Sequence, residues 1–153
     1  MDARTKDIDL GWNRIQKELK LIDKSYTQIG IQKDAGNEDG GESIADVGAS
    51  NEYGLGQVPE RSFIRSTFDE KRFKIYNIID KKYSLVLKGK STVKRQLALL
   101  GEYMEGAIKR KITNLRSPPN SQVTIKIKGS ANPLIDTGRM RASMRHVEVI
   151  KKK

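Results

Sequence analysis

The spacing of apolar residues along the chain predicts a mixture of helices and strands. In residues 7–24 apolar side chains recur every three or four positions, at Trp12, Ile15, Leu19 and Ile22. This spacing predicts an amphipathic helix. Residues 26–33 alternate instead, with β-branched side chains at every second position, and this pattern predicts a strand with one side exposed to water.

A polar, glycine-rich segment comes next and predicts a flexible loop near residues 34–43. Residues 44–53 are then predicted to form a short helix that ends at Gly54, because glycine readily takes the left-handed conformation common after a helix. Beyond a loop that contains Pro59, a further helix is predicted over residues 64–84. The apolar residues that support it are Phe63, Phe68, Phe73, Ile75, Ile79 and Tyr83.

The clearest pattern in the chain predicts one long amphipathic helix over residues 92–115. Its apolar positions step by threes and fours without a break: Val93, Leu97, Leu100, Met104, Ile108, Ile112 and Leu115. Ser91 or Thr92 can cap its start, and Pro118-Pro119 stops it.

The segments after the prolines complete the pattern. Residues 122–128 alternate as in a strand, and residues 145–150 predict a final strand before a basic tail at 151–153. At 153 residues, we predict a single α+β domain over the whole chain. A small antiparallel sheet packs against helices in it, including the long amphipathic helix.

Charge is divided unevenly along the chain. Residues 1–70 carry 9 basic and 14 acidic side chains, whereas residues 71–153 carry 21 and 5, within a net charge of +11. A strongly basic region is typical of proteins that bind nucleic acid, and it also fits a merely solvated surface. A third interpretation is a ring in which the acidic face of one subunit meets the basic face of the next.

The absence of cysteine excludes disulfides and thiolate metal sites and suits assembly in a reducing cytoplasm. No apolar run is long enough to span a membrane, and the first residues do not resemble a signal peptide. We therefore expect a soluble protein that is made inside the cell and has no membrane partner.

Residues that could support catalysis are sparse. The single histidine, His146, lies in a strand pattern beside Arg145, and we interpret it as a solvent-facing residue rather than a base or ligand. Lys88-Gly89-Lys90-Ser91 contains the Gly-Lys-Ser of a phosphate-binding loop, but position 84 is serine where that loop needs glycine. We expect no enzymatic activity, no cofactor and no bound metal.

Two short segments, roughly eighty residues apart, are more specific than any of these patterns. The first reads Asn51-Glu52-Tyr53-Gly54 and, after a short loop, Pro59-Glu60-Arg61-Ser62-Phe63. The second reads Pro133-Leu134-Ile135-Asp136-Thr137-Gly138-Arg139-Met140 and continues to Met144. Met140 and Met144 are four residues apart, which places them on one face of a helical turn.

Asp-Thr-Gly alone is weak evidence of function, because Asp136 or Thr137 can simply cap a turn that begins at Gly138. The tripeptide also occurs in aspartic proteases, but those enzymes pair two such carboxylates in a large β fold. This chain has one Asp-Thr-Gly and a highly charged composition, so a protease is a poor interpretation.

In this order and in a chain of this size, the two segments resemble the tail-completion or virion-morphogenesis proteins of tailed bacteriophages. The resemblance is best over residues 44–73 and 118–150. In that family the segment that matches residues 122–128 tends to be a helical turn, so both interpretations of it stay open. Glu60, Met140 and Met144 depart from the residues common in the family.

The resemblance implies structural roles for the residues of both segments. Tyr53, Pro59, Arg61 and Phe63 would fix the loop against the core, with Phe63 as the anchor. Arg61 would pair with a carboxylate, within the subunit or across the ring. The second segment would seat the C-terminal turn through Leu134, Ile135, Thr137 and Met140, with Asp136 and Gly138 completing the turn.

The function that the resemblance implies is a structural protein of the phage neck. It would form a ring, expected to be a hexamer, that closes the tail tube and joins it to the head connector. Its partners would be other copies of itself, the tail tube protein and the connector proteins, with genomic DNA passing through the ring, in a virion assembled in the host cytoplasm. The alternative is a basic DNA-binding accessory protein, whose affinity would fall steeply with salt.

Overall fold

The structure, a computed structural model, describes residues 10–151. Within this range it has six helices and two strands. In chain order they are α1 Trp12–Ile22, β1 Tyr26–Ile31, α2 Ile44–Tyr53, α3 Arg65–Leu87, α4 Val93–Asn114, α5 Gln122–Lys128, α6 Arg139–Ala142 and β2 Met144–Val149. The predicted α+β fold is confirmed. Residues 7–9 of the predicted first helix and residues 152–153 of the predicted tail lie outside the described residues.

The two strands of the described chain meet in an antiparallel sheet. Tyr26 of β1 lies opposite Val149 of β2, and Ile31 lies opposite Met144. Alternate side chains of both strands point toward α4, while the other face of the sheet stays open, with Tyr26 and Val147 both exposed. The sheet is thus covered on one face.

Helix α4 lies unusually close to the sheet because it carries a glycine at the contact. A Cβ atom at Gly101 would stand 2.5 Å from Cδ2 of His146 and 2.7 Å from Oγ1 of Thr27. Both distances are too short for a methyl group, so only glycine permits this approach. The long helix therefore rests directly on both strands.

The start of α4 is capped from two directions. The Thr92 hydroxyl accepts a hydrogen bond from the backbone N–H of Arg95 at 3.3 Å, which fulfils one of the two capping options that the sequence predicts. The backbone N–H of Val93 donates to Oε2 of Glu18 at 2.7 Å. This second contact ties α1, none of whose residues is buried, to the body of the protein.

The hydrophobic core lies between the C-terminal half of α4 and the two segments singled out in the sequence. Its buried members are Ile44, Phe63, Ile108, Ile112, Leu134, Met140 and Met144. Four of them, Phe63, Ile108, Ile112 and Met144, have no exposed surface. The core is therefore built from residues distant in sequence.

Two of the aromatic residues that support the predicted helix over residues 64–84 are exposed on α3. Phe73 is 82% exposed and Phe68 37% exposed, whereas Thr67 and Val86 are buried. The residues of α3 that lie beside α4 include Ile78, Ile79 and Val86 instead. The helix predicted over residues 64–84 is confirmed and runs from Arg65 to Leu87.

Residues 122–128, which the sequence left open, form a helix. The Ser121 hydroxyl accepts a hydrogen bond from the backbone N–H of Thr124 at 3.1 Å and so caps its start. A strand there would need a partner, and the sheet of the described chain consists of β1 and β2 alone. Val123 and Ile127 are left exposed on this short helix.

Loop 34–43 has a turn structure of its own. Asn37 and Ser43 form an isolated antiparallel bridge, and the backbone N–H of Glu38 donates to the carbonyl of Glu42 at 2.8 Å. Its predicted flexibility stays a prediction.

Candidate functional site

The two sequence segments come together at the C-terminal end of α2, where the chain reverses direction. Gly54 follows the helix with a φ of 67°, a left-handed conformation that favours glycine. A Cβ atom there would also lie 2.9 Å from the backbone nitrogen of Glu60. The tight reversal brings residues 59–65 back along the last turn of α2.

Glu52 holds this reversal from inside. Its side chain is only 4% exposed, and its two oxygens accept hydrogen bonds from the backbone N–H groups of Phe63, Ile64 and Arg65 at 2.7, 2.8 and 2.9 Å. The Ser62 hydroxyl donates to the same carboxylate at 2.9 Å. These N–H groups open α3 and have no partner within the helix, so Glu52 caps α3 from another segment of the chain.

The pKa of Glu52 reflects two opposing causes. Burial of the carboxylate raises its pKa, whereas the hydrogen bonds from Ile64, Arg65, Phe63 and Ser62 lower it, and the net result is a pKa below the usual value of 4.5. The group is therefore held in its charged form. Arg65 reinforces this, because its Nε lies 3.1 Å from Oε1 of Glu52.

Arg61 joins the first segment to the residues after α4. Its Nε donates to the carbonyl of Pro118 at 2.9 Å, and its Nη2 donates to the carbonyl of Pro119 at 3.2 Å and to Oδ1 of Asn120 at 3.0 Å. Its Nη1 donates to Oδ1 of Asn51 at 3.1 Å. The side chain thus clamps two distant segments.

The expectation that Arg61 pairs with a carboxylate inside the subunit is wrong within residues 10–151. All four of its oxygen partners are uncharged carbonyl or amide groups, and the residue is 6% exposed. A guanidinium can be buried in this way because its planar donors match several acceptors at once. Burial lowers the pKa of Arg61 from its usual value. The residue is a strut inside the fold.

Phe63, Leu134 and Met140 meet in the core, as the resemblance implies. Phe63 has no exposed surface, and Leu134 and Met140 are each 5% exposed. Met144 joins them, but not through a shared helical face as predicted, because α6 ends at Ala142 and Met144 begins β2. We name the set Asn51, Glu52, Arg61, Phe63, Asn120, Leu134 and Met140 the motif junction.

Tyr53 and Pro59 do not seat the loop in the core. Both are exposed, Tyr53 by 57%, and the Tyr53 ring lies under the guanidinium of Arg65, 4.8 Å from ring centroid to Cζ. The implied role of these two residues is therefore wrong. Tyr53 is the last residue of α2, where its side chain stacks on the surface rather than turning inward.

The remaining residues of the second segment lie near the surface. Ile135 packs partly buried against the core, whereas Asp136 and Thr137 are exposed. The Thr137 hydroxyl accepts from the backbone N–H of Arg139 at 3.2 Å, as expected for a residue that caps the turn, and donates to Oε2 of Glu38 at 3.1 Å. Gly138 takes a φ of 84° at the start of α6.

A cavity of about 430 Å³ lies beside the motif junction. One side of it is acidic, formed by Glu38, Asp39, Glu42 and Asp136, and Lys128 also lines it. Its inner side includes Val47, Leu134 and Met140. We name it the acidic cavity. Among residues 10–151, no group of three or more His, Cys, Asp or Glu side chains is arranged to hold a metal ion.

His146 is in the predicted strand but does not face solvent. It is 21% exposed by side chain and points at α4, where its Nδ1 lies 2.6 Å from Oε2 of Glu105. Its side chain packs on α4 because alternate β2 residues face that helix. Burial raises the pKa of Glu105, but hydrogen bonds from Lys109 and His146 outweigh it, so the pKa lies below the usual value. The solvent-facing interpretation is wrong.

The sequence predicted no role for Glu52, which lies in the first segment, or for Asn120, which follows Pro119. A cap is normally sought within three residues of the helix start, whereas Glu52 lies thirteen positions before Arg65. Asn120 lies 59 positions from Arg61. The spacing of residue types along the chain therefore could not predict either contact.

Comparison of the chain with protein-family models, with curated proteins and with solved structures finds no match. The phage resemblance therefore rests on the two segments alone. In the described part of the chain, no helix is both long and apolar enough to cross a membrane.

Proposed function

We propose that this protein is a structural component of the neck of a tailed bacteriophage, of the tail-completion or tail-terminator type. It assembles as a ring that closes the tail tube and joins it to the head connector, and genomic DNA passes through the ring. The observation that carries the proposal is the motif junction. The segments on which the resemblance rests converge there, and their residues brace one another.

The character of the motif junction supports a structural role. Its charged members, Glu52 and Arg61, are both buried, and their oxygens and nitrogens are occupied by hydrogen bonds to groups of the protein, most of them backbone or amide groups. A general acid or base must reach a substrate. Groups held this way instead rigidify the domain, which suits a subunit that must keep its shape in an assembly.

The experiment is direct imaging of the purified protein by negative-stain electron microscopy, alone and with tail tubes. We expect closed rings, sixfold to match the tube of a long tail. In a phage that carries the gene, its deletion should leave heads and tails that do not join. A protein that stays monomeric at high concentration and in the presence of tail tubes would overturn the proposal.

A second candidate is a basic DNA-binding accessory protein, and one specific feature favours it. Helix α3 exposes Phe73 by 82% and Tyr76 by 55%, next to Arg72 and Lys74. Exposed aromatic and basic side chains on one element can contact bases and phosphates together. Binding of single-stranded DNA whose affinity falls steeply with salt, and that is lost on Phe73→Ala, would support this candidate instead.

A further inference from the structure

The turn between α3 and α4 is a basic surface. The Glu18 carboxylate reaches its edge and accepts from the backbone N–H of Val93, but it forms no ion pair with the described lysine and arginine side chains there. Residues 81–95 include six lysine or arginine side chains and no aspartate or glutamate. Lys88, Lys90, Lys94 and Arg95 are exposed, and within residues 10–151 none of them forms an ion pair. We name this surface, together with the neighbouring Leu85 and Leu87, the basic tip.

The basic tip also exposes apolar area. Leu85 is 37% and Leu87 49% exposed at the end of α3. A partner that covered this surface would remove the exposed leucine area from water and bring opposite charge to the unpaired lysines.

The acidic cavity has the complementary character. Residues 34–46 carry five acidic side chains and no basic one. Two of the four carboxylates of the cavity have partners, since Arg139 lies 2.5 Å from Asp39 and Thr137 donates to Glu38. Glu42 and Asp136 have no ion pair or hydrogen bond to their side chains in the part of the chain that the structure describes. Val47, Leu134 and Met140 give the cavity an apolar side.

The two surfaces lie at opposite ends of α4. The basic tip leads directly into Val93, the first residue of the helix, whereas the acidic cavity is lined by Leu134 and Met140, which pack with Ile108 and Ile112 near its end. A helix of 22 residues is about 33 Å long. One copy therefore cannot bring its own tip to its own cavity.

We propose that the basic tip of one copy docks into the acidic cavity of the next copy, and that this head-to-tail contact is the repeating interface of the assembly. The contact joins two different surfaces, so it leaves a free tip and a free cavity at the ends of any chain of subunits, and it terminates only when a ring closes. The inference rests on the proposed ring function and names the residues of its interface.

Charge reversal tests the contact. Lys90→Glu and Glu42→Lys should each raise the protein concentration needed for half-association, measured by sedimentation velocity, by about tenfold or more. The two changes in the same chain should restore association to near the wild-type level, because the pair meets again with reversed signs. Mixing the two single variants should also restore it, since each supplies the surface that the other lacks.

Matched controls separate this contact from net charge. Lys74→Glu in the middle of α3 and Glu102→Lys on the exposed side of α4 make the same charge changes at positions that belong to neither surface. We expect them to leave association unchanged. The proposal would be overturned if the control and test variants weakened association equally. It would also be overturned if the double variant associated as poorly as the two single effects added together predict.

Cross-linking gives a second, independent test. The chain contains no cysteine, so Glu42→Cys and Lys90→Cys in one chain introduce the only two thiols. Because they lie at opposite ends of α4, oxidation should produce a ladder of intermolecular cross-links that ends at the ring, whereas each single variant should stop at a dimer. A double variant that also stops at a dimer contradicts the head-to-tail contact.

The outcomes distinguish this inference from the proposed function. If rings form and none of these variants changes their assembly, the proposed contact is wrong but the proposed neck function is unaffected. A wild-type protein that never self-associates overturns both. If Lys88→Glu with Lys90→Glu leaves association intact but abolishes salt-sensitive DNA binding, the basic tip is a nucleic-acid surface and not a subunit contact.

Discussion

The carboxylate of Glu52 accepts a hydrogen bond from the backbone N–H of Phe63 at 2.7 Å. The contact joins the last turn of α2 to the residue that anchors the core. Since the same carboxylate also caps the first residues of α3, one buried charge fixes the position of two helices and of the aromatic ring between them. Much of the rigidity of the motif junction follows from this arrangement.

Glu52→Gln should destabilise the protein by about 2–4 kcal/mol. The carboxylate accepts hydrogen bonds from several N–H groups through both oxygens, whereas the neutral amide would point its own N–H groups at some of these donors. The folded pKa of Glu52 lies below its ordinary value of 4.5. The stability it contributes is therefore fully present above about pH 4.5 and is lost as the pH falls through the folded pKa. Urea unfolding measured from pH 7 down to pH 3 checks this.

Glu60→Gln is the matched control for that measurement. Glu60 is exposed and lies 2.7 Å from Nη2 of Arg65, so its loss should cost at most about 1 kcal/mol. If Glu52→Gln and Glu60→Gln change the free energy of unfolding and its pH dependence equally, the hydrogen bonds from Glu52 to the start of α3 contribute no more stability than an exposed ion pair.

Phe63→Ala should destabilise the fold by about 3–5 kcal/mol, because the side chain has no exposed surface and its loss leaves a cavity in the core. Leu134→Ala and Met140→Ala should cost about 2–5 kcal/mol for the same reason. Phe73→Ala removes the same side chain from a position that is 82% exposed, and it should stay within about 0.5 kcal/mol of wild type. Thermal unfolding of the four variants gives the comparison, and a Phe73→Ala variant as unstable as Phe63→Ala would contradict this packing.

Arg61→Ala should unfold the motif junction rather than disturb an interface alone. The change leaves four oxygen acceptors without their donor, of which Oδ1 of Asn120 is buried and the other three are partly buried, and it should cost about 2–4 kcal/mol. Arg61→Lys should not restore stability, because one ammonium cannot reach acceptors arranged around a planar guanidinium. An Arg61→Ala variant that melts like wild type but fails to assemble would return the residue to the interface role that the resemblance implies.

Local patterns predicted the elements of this fold well. The long helix was expected over residues 92–115 and runs from Val93 to Asn114, and the helix that ends at Gly54 was placed correctly. These features depend on spacing and on backbone preferences of single residues, which a sequence displays directly. The helix at residues 122–128 was ambiguous because alternation alone cannot tell whether a partner strand exists.

Tertiary contacts were harder to predict, as Phe63 and Phe73 illustrate. Both are aromatic residues in the same predicted helical pattern, yet one is fully buried and the other 82% exposed. Their difference is set by where α3 meets α4, which depends on the whole fold. In the same way, Arg61 donates to carbonyl groups 57 and 58 positions away, where the resemblance implied a carboxylate within the subunit or across the ring.

Loop 34–43 should exchange its amide hydrogens quickly in the isolated subunit, because few of its backbone groups are hydrogen-bonded and most of its residues are exposed. Assembly should slow the exchange, since Glu38, Asp39 and Glu42 line the cavity proposed to receive the neighbouring copy. Hydrogen-exchange mass spectrometry on monomer and ring gives both values. Strong protection of the whole loop in the monomer would contradict the predicted flexibility.

Gly101→Ala tests the close approach of α4 to the sheet. The added methyl group would lie 2.5 Å from Cδ2 of His146, whose ring is held in place by Glu105, so the helix must move away from the strands. We expect a loss of about 1–3 kcal/mol in the free energy of unfolding.

Gly106→Ala, five positions along the same helix, is the matched control, because the added methyl group meets only the flexible end of Arg110 at 3.4 Å. It should stabilise the protein by about 0.5–1 kcal/mol, because alanine loses less backbone entropy than glycine in a helix. Opposite signs for the two substitutions in urea unfolding would support direct contact between α4 and the sheet, and equal stabilisation by both would exclude it.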